Sequence, residues 1–317
     1  MKRYITFFVL CLLVVATATA QQDAQYTQFM FNKLVYNPGY GGSQNAACIT
    51  AIVRNQWMGI EGAPQTQALS FNMPVSNQRV GVGGNIFRNT IGETENITVD
   101  ASYAYRIPMG NGMLGLGAQA SVRLFRVNFN RLTSTQPRGS DPAIPTGTQS
   151  KYLPNFGLGA YYTGETFYLG ISMPRLLQNN IDFADDQTII SRESRHFYAM
   201  GGLLFPINEN LKLQPQVLLK LVTGAPFDAD ANLNLVILDR FTVGVSYRIG
   251  GSLVSGVGES VDMLVAAQVS ENILLGVSYD ITISGLQDYN TGSIEAAIRY
   301  CIGSGNSIED YSNPRFF

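Results

Sequence analysis

From about residue 46 onward the chain alternates apolar and polar residues with a period of two, in runs of roughly ten residues set between turn-forming residues. Successive side chains of a strand point to opposite faces, so each run predicts a strand with one greasy face and one polar face. Ile97, Val99, Ala101, Tyr103, Tyr105 and Ile107 point one way, while Thr98, Asp100, Ser102 and Arg106 point the other. Leu114, Leu116, Ala118, Ala120, Val122 and Leu124 alternate with Gly115, Gly117, Gln119, Ser121 and Arg123, and Phe241, Val243, Val245 and Tyr247 with Thr242, Gly244, Ser246 and Arg248. About fourteen such segments follow the rule, near 46–57, 65–73, 80–89, 95–107, 112–126, 152–162, 165–173, 195–205, 211–222, 227–238, 240–248, 260–269, 272–280 and 292–302. Pro154 and Pro215 fall inside two of them and each removes a ladder donor, which makes those strands the least secure.

The connections add an independent signal. With both termini placed on the periplasmic side, the inner connections (74–79, 108–111, 163–164, 206–210, 239 and 270–271) are short, and the outer ones include 127–151, 174–194, 249–259 and 281–291. Short periplasmic turns alternating with long outer loops, on an even number of strands, predict a transmembrane antiparallel β-barrel of the bacterial outer-membrane type. A soluble sandwich gives similar strands without a reason for this alternation. The apolar alternates then face lipid and the polar ones a lumen, with Tyr103, Tyr105, Tyr161, Tyr162, Phe167, Tyr247, Tyr279 and Tyr300 near segment ends as interfacial girdles.

Composition agrees. Charged residues make up only 14% of the chain, against about 25% in an average soluble domain. No run after the N-terminus approaches the ~20 apolar residues of a membrane helix. The start reads as an export signal: Lys2 and Arg3, a short apolar stretch at 7–15, and Ala18-Thr19-Ala20 before Gln21. The expected divisions are therefore 1–20 cleaved signal peptide, 21–45 periplasmic N-terminal segment, 46–302 barrel and 303–317 periplasmic tail. A net charge of −2 gives no electrostatic case for nucleic acid, whose binding needs a basic patch.

Candidate chemistry is sparse. Gly115-Leu116-Gly117-Ala118-Gln119-Ala120 matches a dinucleotide fingerprint on paper, but that motif needs a strand–turn–helix context; inside a strand the glycines instead leave space in the lumen. His196, the single histidine, faces the lumen by parity and reads as a structural hydrogen-bonding residue rather than half of a Ser–His pair. Asp182, Asp185 and Asp186 share an outer loop that reads as a solvated face; their spacing fits no EF-hand. Arg54, Arg106, Arg123, Lys212, Lys220, Arg299, Asp100, Asp228, Asp230, Asp262 and Glu295 mix both signs in the lumen, fitting either a pore lining or a network that fills a closed barrel. No catalytic, cofactor or metal site emerges. After signal removal only Cys48 and Cys301 remain, on the first and last segments, both pointing inward at the same rim. A disulfide pinning the seam and two free thiols, displaced by shear, both stand open.

Three stretches carry a family resemblance. They are residues 22–32 (QDAQYTQFMFN) with Tyr36-Asn37-Pro38-Gly39-Tyr40; Arg54-Asn55-Gln56-Trp57 with Gly59 and 62–66; and the terminal Asn313-Pro314-Arg315-Phe316-Phe317. Together they resemble the PorP/SprF family of type IX secretion membrane proteins, although Asn37-Pro38-Gly39-Tyr40-Gly41-Gly42 departs slightly from its usual Asn-Pro-Ala-Tyr-Ala-Gly. The resemblance implies a non-catalytic outer-membrane barrel, set in outer-membrane lipid. It would bind type IX secretion components such as periplasmic ring lipoproteins, or anchor a secreted gliding adhesin through its C-terminal domain. A porin-like diffusion channel for small solutes is the alternative. On the physical reading, residues 21–45 are too polar for the wall yet hold Phe29, Met30, Phe31, Leu34 and Tyr36. They are therefore expected to pack at the periplasmic mouth or enter the lumen, as plug or docking element. Phe29, Phe31, Tyr36, Asn37, Pro38, Trp57, Arg315, Phe316 and Phe317 are the candidate partner-binding residues, Trp57 also being the best interfacial anchor.

Overall fold

A computed structural model describes residues 25–44, 46–75, 78–132, 145–183, 191–223, 225–250 and 258–302. Its strands are β1 (Ala47–Asn55), β2 (Gln65–Val75), β3 (Val80–Ile91), β4 (Thr94–Met109), β5 (Gly112–Asn128), β6 (Thr148–Thr163), β7 (Phe167–Met173), β8 (His196–Leu203), β9 (Phe205–Asn208), β10 (Leu211–Val222), β11 (Asp228–Ile237), β12 (Phe241–Ile249), β13 (Ser260–Gln268), β14 (Ile273–Thr282) and β15 (Ser293–Ile302). β8 and β9 are two pieces of one stave broken at Leu204, since both pair with β10. The wall thus has fourteen staves, all antiparallel. It closes where the first strand, β1, pairs the last, β15, at the seam. Among the described residues every strand except the short β9 pairs with a neighbour on both sides, as hydrocarbon requires because it cannot hydrogen-bond a bare backbone.

The pleat assigns the faces as the alternation predicts. On β4, Val99 and Tyr103 lie outside while Thr98, Asp100, Ser102 and Arg106 are buried inside. One girdle residue departs: Tyr161 is buried in the lumen against Tyr40 and Tyr168, while Tyr162 packs on Phe167 outside the core. Adjacent strand residues cannot share a face, so one of the two tyrosines had to turn inward.

Both prolines sit where the ladder has no need of their missing donor. Pro154 in β6 lies beyond the point where β7 ends, since Met173 pairs with Leu158. Pro215 in β10 falls opposite the break between β8 and β9. β6 begins at Thr148, earlier than its apolar pattern, because the ladder Val127↔Gln149 and Asn128↔Thr148 continues on polar side chains. The alternation of connection lengths is also looser than expected. At the long-loop end, β3 and β4 are joined by only residues 92–93, and β10 and β11 by 223–227. At the opposite, turn end, β4 and β5 are joined by Gly110 and Asn111 alone, with Gly110 at φ 60° as a tight hairpin demands.

At the seam, Cys48 stands directly across from Cys301 in the register, near the turn end, with the sulfurs joined. The enclosed loop spans 253 residues, and loop-closure entropy makes such a crosslink worth on the order of 5 kcal/mol. Cys48→Ser should therefore lower the unfolding temperature of the detergent-solubilised barrel. Mass spectrometry of unreduced protein should recover the two cysteine peptides linked; alkylation of both thiols would remove the crosslink.

Candidate functional site

Residues 25–44 run lengthwise through the lumen and plug it. Three short 3-10 turns (Phe29–Phe31, Lys33–Val35, Pro38–Tyr40) keep the segment compact. The last is set by its sequence. The Asn37 side chain accepts from the Gly39 N–H at 2.8 Å, and Pro38 occupies the first position, where a missing N–H is harmless.

Toward the turn end the plug lies backbone-to-backbone on a lane of glycines. A Cβ on Gly117 would stand 2.3 Å from Gly39 N, one on Gly159 2.2 Å from Asn37 Oδ1, and one on Gly81 2.0 Å from Gly41 O. All three distances are impossible, so only glycine admits the plug there. Asn37 Nδ2 donates to the backbone carbonyls of Ala160 (3.0 Å) and Ile171 (3.2 Å), and Gly42 N donates to Asn72 Oδ1 at 2.6 Å.

Midway, Phe29, Phe31, Leu34, Tyr36 and Tyr40 form an apolar core with Tyr161, Tyr168, Tyr198, Met200 and Leu264 of the wall. Tyr36 meets Tyr198 edge-on at 5.2 Å, a favoured aromatic geometry. The Lys33 ammonium lies 4.0 Å from the centre of the Tyr168 ring.

Toward the loop end the plug meets an acidic cradle. Glu295 accepts two successive backbone N–H groups, Thr27 at 2.9 Å and Gln28 at 2.8 Å, while Thr27 Oγ1 donates to Asp280 at 2.8 Å. Gln25 Nε2 donates to Asp228. Arg54 bridges Asp280 (2.5 Å) and Glu295 (3.1 Å) and donates to Thr27 Oγ1 at 2.8 Å. Arg248 pairs with Asp230 at 2.6 Å, and Lys220 with Asp230 at 2.7 Å. Asp228, Asp230, Asp262, Asp280 and Glu295 thus face Arg54, Lys220 and Arg248. The carboxylates outnumber these cations, and Gln25, Thr27 and Gln28 of the plug donate to three of them, Asp228, Asp280 and Glu295.

Above the plug the lumen opens into a cup of about 920 Å³ at the loop end. Its floor includes Gln25, Tyr26 and Tyr36; its walls include Trp57, Phe87 and Phe125 with Asn89, Asn96, Arg123, Arg175, Glu193 and His196. Arg123 pairs with Glu193 at 3.0 Å. His196 Nδ1 lies 3.1 Å from the carbonyl of Ser194.

The structure sorts the sequence candidates. Phe29, Phe31, Tyr36, Asn37 and Pro38 come together inside the lumen, buried against the chain's own wall, with Tyr36 also on the floor of the cup. Trp57 is corrected as an interfacial anchor: its backbone turns at φ 50°, its N–H donates to Ser293 Oγ at 3.1 Å, and the residue lines the cup rather than the lipid face. Arg315, Phe316, Phe317, Asp185 and Asp186 lie outside the described residues, as does the signal segment. Asp182 caps its own loop, accepting from Ser191 N at 2.5 Å. Of the two placements expected for the N-terminal segment, residues 25–44 take the lumen; Gln25 and Thr27 reach partners at the loop ends of β11 and β14, whereas β15 finishes at the turn end. Sequence reading missed Arg248 and Asp280 as network members, and Thr27 and Gln28 as its donors. Alternation placed Arg248 inward, but nothing in it links a strand to residues more than two hundred positions away.

The plug's seat is testable on the folded barrel. Gly117→Val should expel residues 37–41, erasing hydrogen-exchange protection of the plug amides while heat-modifiable migration of the barrel persists. Glu295→Ala strips Arg54 and two plug N–H groups of a partner and should cost about 3–5 kcal/mol; Glu295→Gln, which keeps an acceptor, should cost less. Unchanged plug protection in Gly117→Val would show that the lane does not seat it.

Solved structures with similar architecture are outer-membrane barrels. The "CymD monoaromatic hydrocarbon channel" aligns over 87% of this chain and 92% of its own, with 9% identity and a TM-score of 0.50. Acinetobacter baumannii outer membrane protein Omp33 aligns over 81% and 98%, with 10% identity and a TM-score of 0.45. At such identities the likeness is one of fold. No curated protein matches the sequence. The model of the type IX secretion system membrane protein PorP/SprF family matches residues 18–300. With its closed fourteen-stave wall and a match over most of its length, this chain belongs to the PorP/SprF family of type IX secretion system membrane proteins.

Proposed function

We propose that this outer-membrane barrel serves type IX secretion by holding protein partners, without catalysis and without conducting solutes. The long-loop end faces outward and the short turns face the periplasm, the usual disposition of such barrels. The observation that carries the reading is the plug. Aromatic side chains and a buried ionic network fill the section of the lumen that a diffusion channel would need open. Partners then meet the two ends: ring lipoproteins of the secretion machinery at the turn end, or the C-terminal domain of a secreted adhesin at the cup. Trp57 is the candidate partner contact in the cup, and Arg315, Phe316 and Phe317 stay candidates from the sequence alone.

The competing reading, a porin-like channel, requires the plug to leave. In planar bilayers the purified barrel should show no stable openings, and deletion of residues 25–44 should create them. Stable single-channel conductance of the intact chain would sink the holding role. Affinity capture from native membranes with mass spectrometry separates the partner classes: ring lipoproteins mark a core component, one very large adhesin a dedicated anchor.

A further inference from the structure

The outer face of the wall is apolar over most of its height. Of the charged side chains on the described strands, alternation and burial turn all inward except Arg88, Glu95 and Arg126. These stand together on the neighbouring staves β3, β4 and β5, and the register places them on consecutive rungs. Ile86, Val99 and Val122 form an exposed apolar rung. One rung nearer the loop end come Arg88, Ile97, Leu124 and Tyr152, and on the next come Thr90, Glu95, Arg126 and Ser150. Charge on the lipid face is costly at mid-depth and tolerated near the interface, so the cluster marks the level where acyl chains give way to headgroups. Tyr152, 71% exposed on the same rung as Arg88, stands where an interfacial aromatic belongs.

Glu95 holds the two arginines in a fixed pose. One carboxylate oxygen accepts from Arg88 Nε at 2.7 Å and the other from Arg126 Nη1 at 3.0 Å. A guanidinium carries five N–H donors, and among the described residues neither arginine donates to any other side chain or carbonyl. Glu93, in the turn above, pairs with neither. The cluster is left with a net positive charge and with unused donors on side chains 45% and 43% exposed. We propose that Arg88 and Arg126 bind the headgroup phosphate of a membrane lipid whose acyl chains lie on Ile86, Val99 and Val122. Guanidinium forks match phosphate oxygens two at a time, which a lysine pair would not. A soluble anion has the same oxygens, but the apolar rung directly beneath the donors is surface that only an amphiphile covers while its phosphate is seated. The leaflet rests on the orientation proposed above: with the long loops outside, the lipid belongs to the outer leaflet. The wall then grips its membrane through one fixed headgroup at β3–β5 as well as through its apolar band.

The purified barrel in uncharged detergent is incubated with monophosphoryl lipid A, with the same glycolipid stripped of its phosphate, or with inorganic phosphate, and the ligand retained is counted by native mass spectrometry. Wild type should retain one monophosphoryl lipid A per barrel. The double variant Arg88→Gln/Arg126→Gln should retain it at least about tenfold less, as loss of charge-assisted hydrogen bonds implies. Arg240→Gln, in the turn between β11 and β12, should match wild type. Heat-modifiable migration checks the fold of each variant; if the double variant does not fold, the two single substitutions replace it, each expected to weaken retention. Equal retention by double variant and wild type overturns the site, as does equal retention of the phosphate-free glycolipid by wild type. Binding of inorganic phosphate with no preference for the lipid overturns the lipid as occupant. The leaflet is read separately, from Tyr289→Cys at the loop end and Glu209→Cys in a turn, labelled on intact cells with a membrane-impermeant maleimide. Wild type, whose cysteines are joined at the seam, is the blank. Label on Tyr289→Cys alone supports the outer leaflet. Label on Glu209→Cys alone overturns the orientation and the outer leaflet with it, while the phosphate site is still decided by the binding result.

Discussion

In hydrocarbon, every backbone N–H and C=O must find a partner within the sheet, and each unpaired group costs several kcal/mol. Closure of the wall at β1–β15 answers that demand and sets the circumference at fourteen staves. The circumference creates the next problem. Small barrels fill their interior with wall side chains, and much larger ones leave an aqueous channel. At the size seen here the inward side chains reach partway, and their polar ends need partners. The N-terminal segment supplies them, so plug and wall answer the same requirement.

The two ends of the plug are held by different physics. Near the turn end the fit is steric. Glycines clear a lane on which Pro38 and Gly39 lie directly on the wall, and Asn37 ties the turn to strand carbonyls. Near the loop end the fit is electrostatic. Carboxylates in excess of nearby cations attract backbone and side-chain donors of Thr27, Gln28 and Gln25. Buried ionic networks of this kind add little net stability over apolar packing, but they penalise any misplacement heavily. The cradle therefore acts chiefly to set the plug's register and direction, and that direction makes the loop-end cup a composite of wall and N-terminal segment.

Much of this molecule was legible in its residue order. Period-two alternation located the strands and gave most of their side chains the correct face, including His196, Cys48 and Cys301. The aromatic run from Phe29 to Tyr36 announced an ordered segment where polarity forbade a wall strand. Other features left weaker traces. Tyr161 and Tyr162 read equally well as girdle residues, because composition near a strand end does not say which of two adjacent tyrosines turns inward. β6 ran past its apolar pattern because its ladder outlasts the membrane-facing stretch. Asn37-Pro38-Gly39 stood out as a motif, but its role as a lumenal anchor shows only beside Ala160, Ile171 and Gly117.

By itself, then, the sequence determined an even-staved barrel with a greasy exterior, a polar interior and a detached N-terminal segment, because alternation and turn chemistry are local properties that neighbouring residues express on their own. Only the tertiary structure decided that the segment fills the lumen, which way it runs, and that Arg54, Arg248, Asp280, Glu295 and Thr27 form one network. Those facts depend on closure, which brings residues separated by most of the chain into contact at a depth and rotation that no local pattern encodes.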